Sequence, residues 1–187
     1  MFVKPANLGS SIGISRAADA AQLADALELA RRYDDWVVIE EAVDAREIEV
    51  AVLGVGAEMR ASVPGEIVPS REFYDFDDKY LTGSATSRIP ADLPPEVAGS
   101  ARRMALLVCR ALRIDGMARV DFFYEQPGRG LLVNEVNTIP GFTPISQYPQ
   151  LWAATGVDYP SLVDELVRLA LVRHERRARF ETRRQLP

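Results

Sequence analysis

Apolar positions along the chain follow two periods. From Asp19 to Tyr33, Ala20, Leu23, Ala24, Leu27 and Ala30 recur at helical spacing behind Asp19, a side chain suited to an N-cap. A second helical stripe runs through Val97, Ala101, Met104, Val108 and Ala111, opened by Pro94-Pro95. Cys109 lies beside that stripe and reads as a core thiol, with a nucleophile as the alternative. Leu162, Leu166, Leu169 and Val172 mark a final helix. Other stretches read as strands. Met1-Phe2-Val3 opens the chain, Trp36–Ile39 is a short buried strand, and Ile48, Val50 and Val52 alternate with Glu47, Glu49 and Ala51 in a half-buried one. Gly54 and Gly56 mark a turn, and a strand near Arg60–Val68 is broken at Pro64-Gly65. Strands at Met117–Tyr124 and Leu131–Val136 flank Gln126-Pro127-Gly128, a hairpin signal.

Residues 69–90 show no period; they are polar, aromatic and rich in Asp, as functional or disordered loops are. A second loop runs from Asn137 to Pro149. Strands and helices mix without strict alternation, which favours α+β over a doubly wound α/β fold. A buried-looking strand with no lead-in at Met1 is an unusual start for a domain.

Composition sets the limits. The 187 residues are 48% apolar and 26% charged, enough for one large domain or two small lobes and too apolar for a disordered chain. No run approaches the 18 apolar residues of a membrane span, and no basic-then-apolar leader is visible. A single cysteine cannot form an internal disulfide, so a reducing cytoplasm is expected. The net charge of −5 argues against general nucleic-acid binding. The charge is uneven, because Arg173, Arg176, Arg177, Arg179, Arg183 and Arg184 against Glu175 and Glu181 give the tail +4 and leave −9 elsewhere. The tail reads as a solvated helix end, with an anion-binding tail as the alternative. His174 falls inside it, so no Ser-His-Asp constellation can form.

The hairpin is the sharpest chemical feature. Asp121 lies on its first strand, Glu135 on its second and Asn137 just beyond it, and residues two apart on a strand share a face. Three oxygen-bearing groups on one face suit a hard cation such as Mg²⁺; a solvated polar face is the alternative. Val120, Phe122, Val133 and Val136 point to burial of the other face. Arg119 shares the Asp121 face, either to hold negative charge on a reacting group or to pair with Asp121 or Glu135. Lys4 followed by Asn7-Leu8-Gly9-Ser10-Ser11 could cradle phosphates, although no Walker A pattern is present. Glu40-Glu41-Ala42-Val43, with Glu47 further on, could read adenine and ribose or form an acidic strand edge. Lys79, in the loop Phe73–Tyr80, could add a phosphate contact.

Taken together, these motifs resemble the D-alanine–D-alanine ligases of the ATP-grasp superfamily. The matching strings are FVKPANLGSSIGIS, VVIEEAVDAREIEVAVLG, EFYDFDDKYL, GMARVDFF and LLVNEVNTIPGFTPIS, which with the final helix reach from Phe2 to about Val172. The resemblance implies an ATP-grasp fold, with nucleotide held between a small partial central lobe (1–45) and a larger C-terminal lobe (46–173), followed by a basic tail (174–187). It implies that ATP phosphorylates the carboxylate of one D-alanine and that the amine of a second displaces phosphate, for peptidoglycan synthesis. In this reading Lys4 binds phosphate under the loop Gly9, Ser10 and Ser11. Glu40, Glu41 and the Val43 backbone read adenine, Phe73 packs on it and Glu47 holds the ribose. Lys79 and Tyr80 are the mobile-loop pair, with Tyr80 hydrogen-bonding toward Ser10. Asp121, Glu135 and Asn137 bind two Mg²⁺ ions, with Mn²⁺ as a substitute, and Asn134 joins Glu135 in the ATP site. Arg119 and the Gly141 N–H stabilise the oxyanion, and Ser146 holds the carboxylate of the second D-alanine.

The resemblance also implies a homodimer; composition and charge are what point to the cytoplasm and to no nucleic-acid or membrane partner. The string DKYL favours the dipeptide ligase over a D-alanine–D-lactate ligase. The family's N-terminal domain and a second phosphate-binding lysine have no counterpart here, so the chain is expected to be part of a longer protein. A nucleotide-binding fragment without ligase activity is therefore the alternative of another class.

Overall fold

The computed structural model describes residues 1–9, 11–68 and 86–181. They form two compact α+β units, one built on Met1–Ala45, the other on Arg46–Ile67 and the residues from Ser87 onward.

The smaller unit contains β1 (Phe2–Pro5), β2 (Ser15–Arg16), α1 (Ala20–Arg31) and β3 (Val37–Glu40). Its strands pair antiparallel in the order β2-β1-β3. Asp19 caps α1 by accepting from the Gln22 N–H at 2.9 Å. Val3, Ala17, Ala26 and Ala30 form the core, with Leu23, Leu27 and Val37 against it. The buried stripe is therefore turned from the expected one, because Ala26 is inside and Ala20 and Ala24 are exposed. β3 is half-buried rather than buried. Ile39 pairs with the fully buried Val3 yet stays 51% exposed, because β3 is an edge strand.

The larger unit contains β4 (Arg46–Gly54), β5 (Arg60–Ala61), β6 (Gly65–Val68), β7 (Thr86–Arg88), α2 (Pro95–Ala111), β8 (Gly116–Glu125), β9 (Gly130–Asn137), α3 (Gln147–Ala154) and α4 (Tyr159–Ala178). The sheet order is β7-β6-β4-β8-β9, with β5 also paired to β4. At the turn after β4, Gly54 has φ +132°, and a Cβ there would sit 2.7 Å from the Met59 Cα, so only glycine fits.

Alternation along β4 and β8 gives this sheet two buried faces. Ile48, Val50, Val52, Ala118, Val120, Phe122 and Tyr124 pack on Ala101, Ala105 and Cys109 of α2. On the other face Ala51, Leu53 and Met117 lie under Tyr148, Leu151 and Trp152 of α3 and Leu162 and Leu169 of α4. Hence β4 is buried on both sides from Ile48 to Gly54, not half-buried. In α2 the stripe centres on Ala101, Ala105 and Cys109, leaving Ala111 exposed. Val133 pairs with Phe122 but is 44% exposed, because β9 is the sheet's edge. The register of β8 and β9 slips between Asp121 and Phe122, leaving Asn134 as the extra residue of a β-bulge. That slip lets Leu131 and Val136, five apart, both pack on the α2 core. α3 occupies part of the expected loop before Pro149, and β7 lies in the expected loop before Pro90. α4 carries the chain to Ala178, where Arg173 and Arg176 pair with Asp115.

Candidate functional site

The polar residues of the larger unit gather where the apolar helix cover ends. Glu47, Glu49, Ala51 and Leu53 share one face of β4, and Met117, Arg119, Asp121 and Phe123 share the same face of β8. Leu53, Ala51 and Met117 lie in the core under α3 and α4. Two residues before Ala51 on β4, at Glu49, and two after Met117 on β8, at Arg119, the same face turns polar. There the register sets Asp121 directly between Glu49 of β4 and Glu135 of β9, and Asn137 opposite Arg119.

The side chains close into one network. The Arg119 Nε and Nη2 donate to Asp121 Oδ1 and Oδ2, each at 2.7 Å. The Arg119 Nε also lies 3.1 Å from Glu49 Oε1. The Asn137 Nδ2 donates to Asp121 Oδ2 at 3.1 Å and to Glu135 Oε1 at 3.2 Å. Glu49 and Asp121 are 8% and 9% exposed, so their charges need these partners. Burial opposes the Arg119 charge. The hydrogen bonds from Asp121 and the charges of Glu49, Asp121 and Glu135 outweigh it, raising the pKa above the ordinary arginine value. Arg119 is a permanent cation.

This donor set suits a hard divalent ion. Glu49, Asp121 and Glu135 against Arg119 leave a formal charge of −2. The Asn137 amino group stands where Asp121 and Glu135 converge, marking a point that favours positive charge. The same amide turned half a revolution presents Oδ1 there. Among the described residues no three of His, Cys, Asp and Glu group as an ion site, so a cation here would draw on the amide as well as the two carboxylates.

A second constellation follows β9. Ser146 Oγ accepts from the Thr143 N–H at 3.1 Å and shares a 2.8 Å hydrogen bond with Thr143 Oγ1. A Cβ on Gly141 would come within 3.1 Å of Ser146 Oγ, so the loop closes tightly around that hydroxyl. Tyr159 Oη pins the same loop through the Phe142 carbonyl at 2.8 Å. In the smaller unit, Lys4 Nζ pairs with Glu40 Oε1 at 2.8 Å, so two expected nucleotide contacts hold each other. Ser11 takes a left-handed φ of 59°, and Gly9 is exposed. Glu41 is exposed, and Val43 and Glu47 are half-buried. Asn134 is the bulge residue. Ser10, Phe73, Lys79 and Tyr80 lie outside the described residues.

The structure thus brings Arg119, Asp121, Glu135 and Asn137 together, and Gly141 with Ser146. Glu49 is the member that sequence reasoning missed. Its signal was available: it lies two residues beyond Glu47 on one strand, where a carboxylate facing a buried side needs a cation.

Comparison with known proteins gives a consistent result. The family model described as "D-ala D-ala ligase C-terminus" matches residues 1–168. The D-alanine–D-alanine ligase of Solibacter usitatus is 51% identical over 177 residues, covering 95% of this chain and 54% of that protein. The structure of the D-alanine–D-alanine ligase from Coxiella burnetii superposes with a TM-score of 0.84 at 40% identity, over 95% of this chain and 46% of that one. The Bacillus anthracis D-alanine–D-alanine ligase complexed with ATP superposes with a TM-score of 0.75 at 29% identity, over 94% of this chain and 55% of that one. The chain spans about half the length of the curated relatives it matches.

Proposed function

The chain belongs to the D-alanine–D-alanine ligase C-terminal family, and from that membership we propose that it carries the nucleotide- and metal-binding part of an ATP-dependent ligase that joins two D-alanines for peptidoglycan synthesis. The observation that carries the proposal is the convergence of Arg119, Asp121, Glu135 and Asn137 on one face of the β4-β8-β9 sheet.

In this reading ATP phosphorylates the first D-alanine's carboxylate, and the amine of the second attacks the acylphosphate and expels phosphate. Asp121, Glu135 and Asn137 would hold two Mg²⁺ ions, which when bound supply charge neutralisation for the phosphate oxygens. Arg119 holds the negative charge that develops on the transferring phosphoryl group and on the tetrahedral oxyanion. Its permanent charge and the carboxylates of Asp121 and Glu49 beside it mean that little reorganisation is needed at the moment of reaction. The Gly141 N–H is assigned the second oxyanion contact, and Ser146 Oγ, held by Thr143, the carboxylate of the second D-alanine. Lys4, Gly9, Ser10, Ser11 and Lys79 are assigned to phosphate, Glu40, Glu41, Val43 and Phe73 to adenine, and Glu47 to ribose. Tyr80 is assigned to Ser10 and Asn134 to the nucleotide. Homodimer assembly belongs to the same proposal and rests on the resemblance, and a cytoplasmic location rests on the single cysteine.

The test is phosphate release with ATP and Mg²⁺ in the presence and absence of D-alanine, with chromatographic detection of D-alanyl-D-alanine. D-alanine-dependent release with dipeptide formed is expected. ATP binding without turnover would leave the chain a nucleotide-binding module, and release requiring D-lactate would assign the depsipeptide reaction instead.

A further inference from the structure

Asp121 carries two duties that compete. Its Oδ2 already accepts from both the Arg119 Nη2 and the Asn137 Nδ2, and its Oδ1 accepts from the Arg119 Nε. A carboxylate oxygen has about two lone-pair sites. A cation that engages Asp121 on the β9 side, where the Asn137 Nδ2 now sits, would draw on the carboxylate charge that now fixes the guanidinium and would itself repel that guanidinium. Arg119 would loosen at the moment its position matters, unless a second carboxylate holds it from elsewhere.

Glu49 is placed to do this. It stands on β4, across β8 from Glu135 and Asn137, so it approaches Arg119 from the side opposite the convergence point. Its Oε1 lies 3.1 Å from the Arg119 Nε, behind the 2.7 Å contact to Asp121. It is 8% exposed and sits on the rigid central strand pair, so it cannot drift with solvent. We propose that Glu49 is a positioning residue that keeps the Arg119 guanidinium in place while Asp121 is engaged by a divalent cation. The inference rests on the reading above for what Arg119 does, and on this geometry alone for what holds it.

The test follows the Arg119 Nε–H by NMR in the full chain labelled with ¹⁵N-arginine, the resonance being assigned by its loss in Arg119→Lys. Without ligand, slow Hε exchange is expected in wild type, Glu49→Gln and Glu49→Leu, because Asp121 suffices. With Mg²⁺ and AMP-PNP, exchange should stay slow in wild type, rise at least about tenfold in Glu49→Leu, and be partly restored in Glu49→Gln, which keeps an acceptor oxygen. Equal protection in liganded Glu49→Leu and wild type would overturn the proposal. A second arm needs no nucleotide. In Asp121→Ala the Hε should remain protected, and in Asp121→Ala combined with Glu49→Leu it should exchange freely, with backbone amide spectra confirming the fold. Free exchange in Asp121→Ala alone, or protection in the double variant, would overturn the role of Glu49. Absence of any AMP-PNP-induced shift would count against the nucleotide reading and leave this second arm decisive.

Discussion

Arg119 and Asp121, two residues apart on β8, meet fork to fork, with Nε on Oδ1 and Nη2 on Oδ2 at 2.7 Å each. Same-strand neighbours on one face reach each other without help from the turn or the edge, so the pair is set by the central strand itself. Glu49 on one flank and Glu135 on the other make it the centre of a three-strand charge cluster.

Removing the cation from that cluster leaves Glu49, Asp121 and Glu135 facing one another, two of them buried. Arg119→Leu is expected to destabilise the chain by about 3 kcal/mol, as breaking a buried ion pair from one side does. Asp121→Asn should cost less, since a neutral amide remains to accept. Urea unfolding at pH 7 measures both; equal and small losses would show that the cluster is not electrostatically coupled.

Much of this arrangement was legible in the sequence. Asp121, Glu135 and Asn137 were placed on one face by the two-residue period of a hairpin, which is local information. The β4–β8 register is not local, so the pairing of Glu49 with Asp121 had to come from the structure. Likewise, Ile39 and Val133 read as buried because their types suit strands. Exposure depends on whether a strand lies at an edge, which a single strand's sequence does not record. α3 was hidden by Pro144 and Pro149, which read as loop, although Tyr148, Leu151 and Trp152 already carry helical spacing. Lys4 and Glu40 were each assigned to nucleotide, and their cross-strand proximity, which makes them an ion pair, came from the β1–β3 register.

Acid sensitivity should centre on Glu66. Its Oε1 and Oε2 accept from Arg46 at 2.7 and 2.8 Å, and Arg88 lies 3.4 Å away. The Arg46 hydrogen bonds, against the opposing effect of burial and with the charges of Arg46 and Arg88, lower its pKa below the ordinary 4.5. A depressed carboxylate stabilises the fold above its unfolded pKa, and that contribution is lost as pH falls through the lower folded value. Glu66→Gln should thus be less stable by about 1–2 kcal/mol at pH 7, allowing for the partly exposed arginines. The gap to wild type should shrink as pH falls below 4.5. Urea titrations from pH 7 to about pH 3 read this directly, and a pH-independent gap would contradict it.

Cys109 is fully buried in the α2 core, and burial pushes its thiol up to about 11. A thiol-specific chromophoric disulfide at about pH 8 should leave it unlabelled in the folded chain and label it fully in denaturant, because the thiolate is the reactive form. Rapid labelling of the native chain would refute the core assignment.

The most direct test of the central claim is Mn²⁺ binding to the chain in the presence of ATP, followed by the loss of the free-ion electron paramagnetic resonance signal. Asp121→Asn and Glu135→Gln should each weaken binding at least about tenfold while the chain stays folded by circular dichroism. Wild-type affinity in the folded double variant would contradict a cation site built from Asp121, Glu135 and Asn137.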